Sequence, residues 1–174
     1  MTKQVYYPSM VLDHNILECK LLDLPTINRF PSTREEEWTK YRHFSLHSAH
    51  SFILVYDVTS AQSFTHIQSI REQILAVKYL ADIPIIVVAN KSDLAKNNVD
   101  DDDEVVRKEV RDKHEIISLV RKTWRASYVE CSARYNWNVT AVFKEVAKEI
   151  INHKENVAKD VDDDQQICCK MSLF

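Results

Sequence analysis

The sequence predicts an α/β domain built around one mainly parallel sheet. Short β-rich runs alternate with amphipathic helical patterns along the chain. The run Phe52-Ile53-Leu54-Val55-Tyr56 and the stretch 83–88 are continuously apolar, as strands covered on both faces must be. With 174 residues the chain can bury one substantial core and not comfortably two.

Taken in order, residues 5–12 and 16–24 read as strands, joined by the turn-forming Asp13-His14-Asn15 into a hairpin at the antiparallel edge of the sheet. Residues 25–31 form a loop between two prolines. A helix then starts near Ser32-Thr33, where Ser32…Glu35 and Thr33…Glu36 both fit a capping box; Trp38, Tyr41 and Leu46 mark its inner face. Residues 51–58 are the next strand. The helix from about Ser60 carries Phe64, Ile67, Ile70, Ile74 and Val77 at helical spacing. After the strand 83–88 comes a polar loop, 90–104, that includes an acidic run over 100–104, the pattern of a solvated surface. A third helix is expected over 106–124, with Val110, Ile117, Val120 and Trp124 on its apolar face. The last strand is 128–131, and the last helix, 138–152, carries Val139, Val142, Phe143, Val146 and Ile150 on one side. Beyond His153 the chain turns polar and acidic, so a disordered tail is expected over 153–174.

Composition narrows the functions open to this chain. A net charge of −3 gives no electrostatic footing for nucleic acid or an anionic membrane. No apolar stretch reaches transmembrane length, and Cys19, Cys131, Cys168 and Cys169 have neither zinc-site nor disulfide-framework spacing. They read as reduced thiols in a cytosolic protein. Glycine is absent, where average usage near 7% predicts about a dozen. A glycine-rich cradle that brings backbone amides close to phosphate is therefore excluded within these residues.

In open parallel sheets ligands sit at the C-terminal ends of the strands. Three polar segments fall there: Asp23-Leu24-Pro25-Thr26, Asn90-Lys91-Ser92-Asp93-Leu94 and Cys131-Ser132-Ala133-Arg134. Asp93 has the chemistry to read guanine, because a carboxylate accepts both the N1–H and the exocyclic amine, and adenine has no such donor pair. Asn90 can brace the loop and reach the base, the aliphatic stem of Lys91 can cover its plane, and Ser132-Ala133 can supply a backbone N–H to O6. The plain alternative is three capped turns at strand ends.

The segments 54–59, 86–94 and 128–134 closely resemble the Ras superfamily of small GTPases. Leu22-Asp23-Leu24-Pro25, Val120-Arg121-Lys122-Thr123-Trp124 and Tyr135-Asn136-Trp137 bring the likeness nearest to the branch called Ras-like protein family member 10. The resemblance spans about residues 3–152. It implies a P-loop-NTPase-like, Ras-type G domain, a three-layer sandwich entered at its second strand. The first strand, phosphate loop and first helix of the family have no counterpart in these residues. It further implies GTP/GDP and Mg²⁺ as ligands, GTP hydrolysis in signal transduction, and protein effectors or regulators as partners.

Residue by residue, the resemblance gives Asn90, Lys91, Asp93, Ser132 and Ala133 the guanine base, and Asp23 an indirect Mg²⁺ contact. Thr26 and Ile27 stand where the family has its γ-phosphate-sensing glycine and water-orienting glutamine, so no catalytic residue is assigned. The alternative is a pseudo-GTPase that engages partners through the helix 33–46 and the strand 5–12 without turnover. Met171 stands fourth from the end, so the prenylation signal fails, and any peripheral contact with the plasma membrane rests on Cys168 and Cys169. In the family the absent first strand is central, between the strands at 16–24 and 51–58. Its lack predicts direct pairing of those two strands, a strand borrowed from elsewhere, or an incomplete gene product, of which incompleteness is the favoured expectation.

Overall fold

The computed structural model of the chain describes residues 4–6, 9–12, 15–23, 26–31, 49–77, 82–95, 112–158 and 168–173. The expected helix at 33–46 and the acidic run at 100–104 lie outside them. The elements in chain order are β1 (Gln4–Tyr6), β2 (Ser9–Leu12), β3 (Asn15–Asp23), β4 (Ser51–Asp57), α1 (Ala61–Ala76) and β5 (Ile85–Asn90). A single 3-10 turn, Ser92–Leu94, follows β5. Next is a helix, α2, that is α-helical over 112–118 and π-helical over Leu119–Thr123, and then β6 (Ser127–Glu130), α3 (Val139–Ala158) and β7 (Cys168–Leu173).

All seven strands join one sheet in the order β1-β3-β7-β4-β5-β6, with β2 on β3 beside β1. The hairpin forms as expected: β2 is antiparallel to β3 with Leu12 opposite Asn15. The expected strand over 5–12 is described at 4–6 and 9–12 in one unbroken register, Tyr6 opposite Leu21 and Ser9 opposite Glu18. The pairs β3–β7, β7–β4, β4–β5 and β5–β6 are all parallel, so β3, β4, β5 and β6 end on one rim.

The two faces of the sheet are filled by alternate residues of the same strands. Phe52, Leu54 and Tyr56 of β4, with Val87 and Ala89 of β5, pack against Phe64, Ile67, Ile70 and Ile74 of α1 and Val120 of α2. Ile53, Ile86 and Val88 point the other way, onto Val142, Val146, Ala147 and Ile150 of α3. This is the α/β/α sandwich the sequence implies. Burial of both faces explains why β4 and β5 read as unbroken apolar runs. Polar atoms in the first layer are paired: the Tyr56 and Tyr128 hydroxyls meet at 3.0 Å, and burial pushes both phenols above their ordinary range. Phe64 stacks on Trp124 at 5.7 Å, and the Arg71 guanidinium covers the Trp124 ring at 4.6 Å.

Local rules set the boundaries. Ser60 caps α1, its Oγ accepting the Ser63 N–H at 3.3 Å. β5 starts at Ile85, two residues after the expected start, because Pro84 offers no N–H; its carbonyl instead accepts from Phe52 N–H at 3.0 Å and Ser51 Oγ at 3.0 Å.

The tail is the main departure from expectation. Helix α3 runs on to Ala158, and residues 168–173, expected to be disordered, form the strand β7 between β3 and β4. It matches β3 from Glu18↔Cys168 to Asp23↔Leu173, and β4 from Ser51↔Met171 to Ile53↔Leu173. The gap expected between the strands at 16–24 and 51–58 is thus closed by a strand taken from the other end of the same chain. The driving force is plain: Leu22, Phe52 and Ile53 are fully buried, and the backbone groups facing the gap need partners. Cys168 and Cys169 sit in an interior strand in this arrangement, not in a free tail. Among the described residues no helix is long and apolar enough to cross a membrane.

Candidate functional site

Two of the three polar segments meet at the rim where β5 and β6 end. The Asn90 side chain ties them: its Oδ1 accepts the Ala133 N–H at 3.0 Å and faces the Cys131 thiol at 3.7 Å. Backbone bonds add to the tie, with Ser92 N–H donating to the Cys131 carbonyl at 3.1 Å and Cys131 N–H to the Ala89 carbonyl at 2.9 Å. Burial raises the Cys131 thiol, which leaves it neutral beside Asn90.

Lys91 turns the chain at the end of β5 with φ 64°, a left-handed conformation that a lysine adopts only at a cost. The turn starts the 3-10 segment, with Leu94 N–H donating to the Lys91 carbonyl at 2.9 Å and Ala95 N–H to the Ser92 carbonyl at 3.3 Å. Within it, Asp93 Oδ1 is buried and has no hydrogen-bond partner among the described residues. Such an orphaned acceptor costs about 1–3 kcal/mol, and more for a charged group, until a donor reaches it.

The Lys91 ammonium reaches back across the rim to Asp57 at the end of β4, Nζ to Oδ2 at 2.6 Å. Asp57 Oδ1 also accepts the Thr59 N–H at 2.8 Å and the Thr59 hydroxyl at 2.7 Å. The Lys91 hydrogen bond, then the Thr59 bonds, hold the Asp57 carboxyl down at about 2. Asp57 is a site residue that sequence reading missed. Its signals in the sequence were its place in the segment 54–59 that carries the family resemblance and its position at the end of a buried strand next to β5.

The third loop is a tight closure. Ser132 is fully buried and exchanges both backbone hydrogen bonds with Trp137 at 2.9 Å, while its Oγ accepts the Tyr135 N–H at 3.3 Å. The Ser132 N–H is therefore taken by Trp137, and the Ala133 N–H by Asn90. Asn138, at φ 56°, leads into α3 and donates its Nδ2 to the Glu130 carbonyl at 3.2 Å. Leu94, Tyr135 and Trp137 are the large apolar side chains that remain exposed among the described residues, and all three belong to these two loops.

Asp23 is not part of this cluster. It is exposed at the end of β3, with β7 and β4 between it and β5, about 14 Å away at ordinary strand spacing. Among the described residues no three His, Cys, Asp or Glu side chains converge on a point that a metal could occupy. Ile27 is buried in the core with Phe30, so its side chain faces away from any ligand on the rim. The cavity lined by Arg71, Pro84, Trp124 and Glu149 lies at the opposite end of the sheet, where β5 and β6 begin.

Comparison with known proteins gives one consistent picture. The profile of the Ras family matches residues 32–152. Ras-like protein family member 10B of Homo sapiens is 36% identical over 150 residues, which are 85% of this chain and 68% of that protein. Ras-like protein family member 10A of Mus musculus is 32% identical over 149 residues, 83% of this chain and 67% of that protein. Ras-related protein ralB-B of Xenopus laevis is 34% identical over 156 residues, 89% of this chain and 66% of that protein.

Proposed function

This chain belongs to the Ras family, and from that membership we propose that its β5–β6 rim recognises the guanine base while the chain supplies little hold on the phosphates. The observation that carries this reading is the buried Oδ1 of Asp93, which has no partner among the described residues. A carboxylate in that state is matched by a ligand edge with adjacent N–H donors, which guanine has at N1 and at its exocyclic amine.

Each neighbouring residue then has a task. Asn90 holds the β5 and β6 loops together through Ala133. Asp57 fixes the direction of Lys91, so that the lysine stem forms a wall above the base plane. For guanine O6 to receive the Ala133 N–H, Asn90 must share that donor. Mg²⁺ and phosphate have a weaker case. Asp23 is remote from the base loops, and the 174 residues contain no glycine from which a phosphate-cradling loop is built. Hydrolysis has no support from Ile27, whose side chain is in the core. The activity proposed for these residues is therefore guanine-selective binding in a signalling protein, without turnover of their own.

A second reading, a partner-binding module with no nucleotide at all, is supported by the exposure of Tyr135 and Trp137, 64% and 56%, on the same rim. Ligand titration separates the two. Base-only recognition predicts that guanosine and GTP bind these 174 residues with similar dissociation constants, about 0.1–1 mM, or roughly 4–5.5 kcal/mol. Mg²⁺ is expected to have little effect, and adenosine to bind at least about tenfold more weakly. Nanomolar, Mg²⁺-dependent GTP binding would overturn the weak phosphate hold; equal binding of guanosine and adenosine would overturn the base site.

A further inference from the structure

Strand β7 carries an unabsorbed feature, the vicinal thiols Cys168 and Cys169. In the parallel β3–β7 ladder Cys19 is the Cα partner of Cys169, and Glu18 that of Cys168. Neighbouring strands lie about 4.8 Å apart, inside the roughly 4.4–6.8 Å Cα separation that a disulfide spans. Paired positions share a face of the sheet, so Cys19 and Cys169 share one face and Cys168 lies on the other, opposite a glutamate.

We propose that Cys19 and Cys169 form a reversible covalent latch that fixes the C-terminal strand in the centre of the sheet. The location suits a latch. Residues 168–173 pair with β3 along their whole length, but with β4 only from Met171 to Leu173. Cys169 therefore lies in the half of β7 held on one side only, the half from which the strand would peel away. The remaining cysteine, Cys131, is buried on β6's rim, away from this pair.

The chemistry requires a two-electron oxidant, which hydrogen peroxide provides. One thiolate attacks a peroxide oxygen and breaks the O–O bond, giving a sulfenic acid and a hydroxide that is protonated to water. The second sulfur then displaces hydroxide from the sulfenic sulfur, forming S–S and a second water. Two S–H bonds and one O–O bond are lost; one S–S bond and two waters are gained. A thiol reductant reverses the latch by exchange.

The test uses the full chain, reduced, desalted and treated with stoichiometric hydrogen peroxide. Mass spectrometry of the tryptic digest should show peptide 4–20 linked to peptide 160–170, two mass units below their sum, in a monomeric species. The link should persist in Cys168→Ser and vanish in Cys169→Ser. Oxidised wild-type chain should melt about 5 °C or more above reduced chain, since the bond closes a ring of about 150 residues. A Cys168–Cys169 bond, a link that survives Cys169→Ser, a link found only between two chains, or no link at all would overturn the latch. Fragmentation of the wild-type linked peptide between Cys168 and Cys169 decides this even if a serine variant folds poorly.

Discussion

Lys91 is where three physical demands meet in one residue. It adopts φ 64° without being glycine or asparagine, its ammonium pairs with Asp57 at 2.6 Å, and its carbonyl accepts the Leu94 N–H that closes the 3-10 turn holding Asp93. In a chain with no glycine the left-handed positions among the described residues fall to Lys91, Arg125, Asn136 and Asn138, two of them asparagines that tolerate the conformation best. The Lys91–Asp57 pair gives a prediction with a definite sign. The Asp57 carboxyl is held at about 2 against an ordinary 3.8, so the pair's contribution is complete above about pH 4 and is lost as pH falls through 2. Carboxyl-carbon NMR should place the Asp57 midpoint near 2, and Lys91→Met should raise it toward 3.8. A midpoint unmoved by that substitution would mean that the ion pair does not form. The pair was not legible in the sequence, because its partners are 34 residues apart and only the β4–β5 register brings them together. Asn90, Asp93, Ser132 and Ala133 were legible as a group, since each follows an apolar strand and the strand-end rule gathers such positions on one rim.

At the scale of elements, periodicity identified what packing alone decides. The stripe Phe64, Ile67, Ile70 and Ile74 is the buried face of α1, and β4 is buried on both sides as its apolar run requires. Strand β7 was not legible for an equally physical reason. Cys-Cys-Lys-Met-Ser-Leu has no β-branched or aromatic residue and follows an acidic stretch, so the short apolar/polar alternation from Cys169 to Leu173 is too little for local propensity to mark a strand. Its structure comes from the slot: two apolar strands whose facing backbone groups would otherwise be unpaired. The sheet should accordingly be sensitive to a substitution that removes one N–H from the slot. Met171 pairs with Leu21 of β3 and Ser51 of β4, so Met171→Pro should destabilise the chain by about 1–3 kcal/mol in urea unfolding. An unchanged midpoint would show that β7 contributes nothing to the sheet.

At the scale of the whole molecule, the Ras-family architecture persists around a centre made in an unusual way. Among the described residues the order of strands and helices from β2 to α3 follows the sequence reading, and two hydrophobic layers seal the sheet from either side. The middle of the sheet comes from residues 168–173, which pair with β3 and β4. The loops proposed to read the base are held by bonds within the β5–β6 half, through Asn90 and Cys131, and these bonds involve no β7 residue. Base recognition is thereby separable from the question of which strand fills the centre, and it is the claim on which the functional reading stands. It is tested most directly by NMR titration of wild type and Asp93→Asn with guanosine and xanthosine. Asparagine replaces a carboxylate acceptor with an amide donor, complementary to the xanthine carbonyl at C2. Wild type should prefer guanosine by about tenfold, roughly 1.4 kcal/mol, and the variant should prefer xanthosine. A variant that still prefers guanosine by the wild-type margin would contradict the assignment of Asp93.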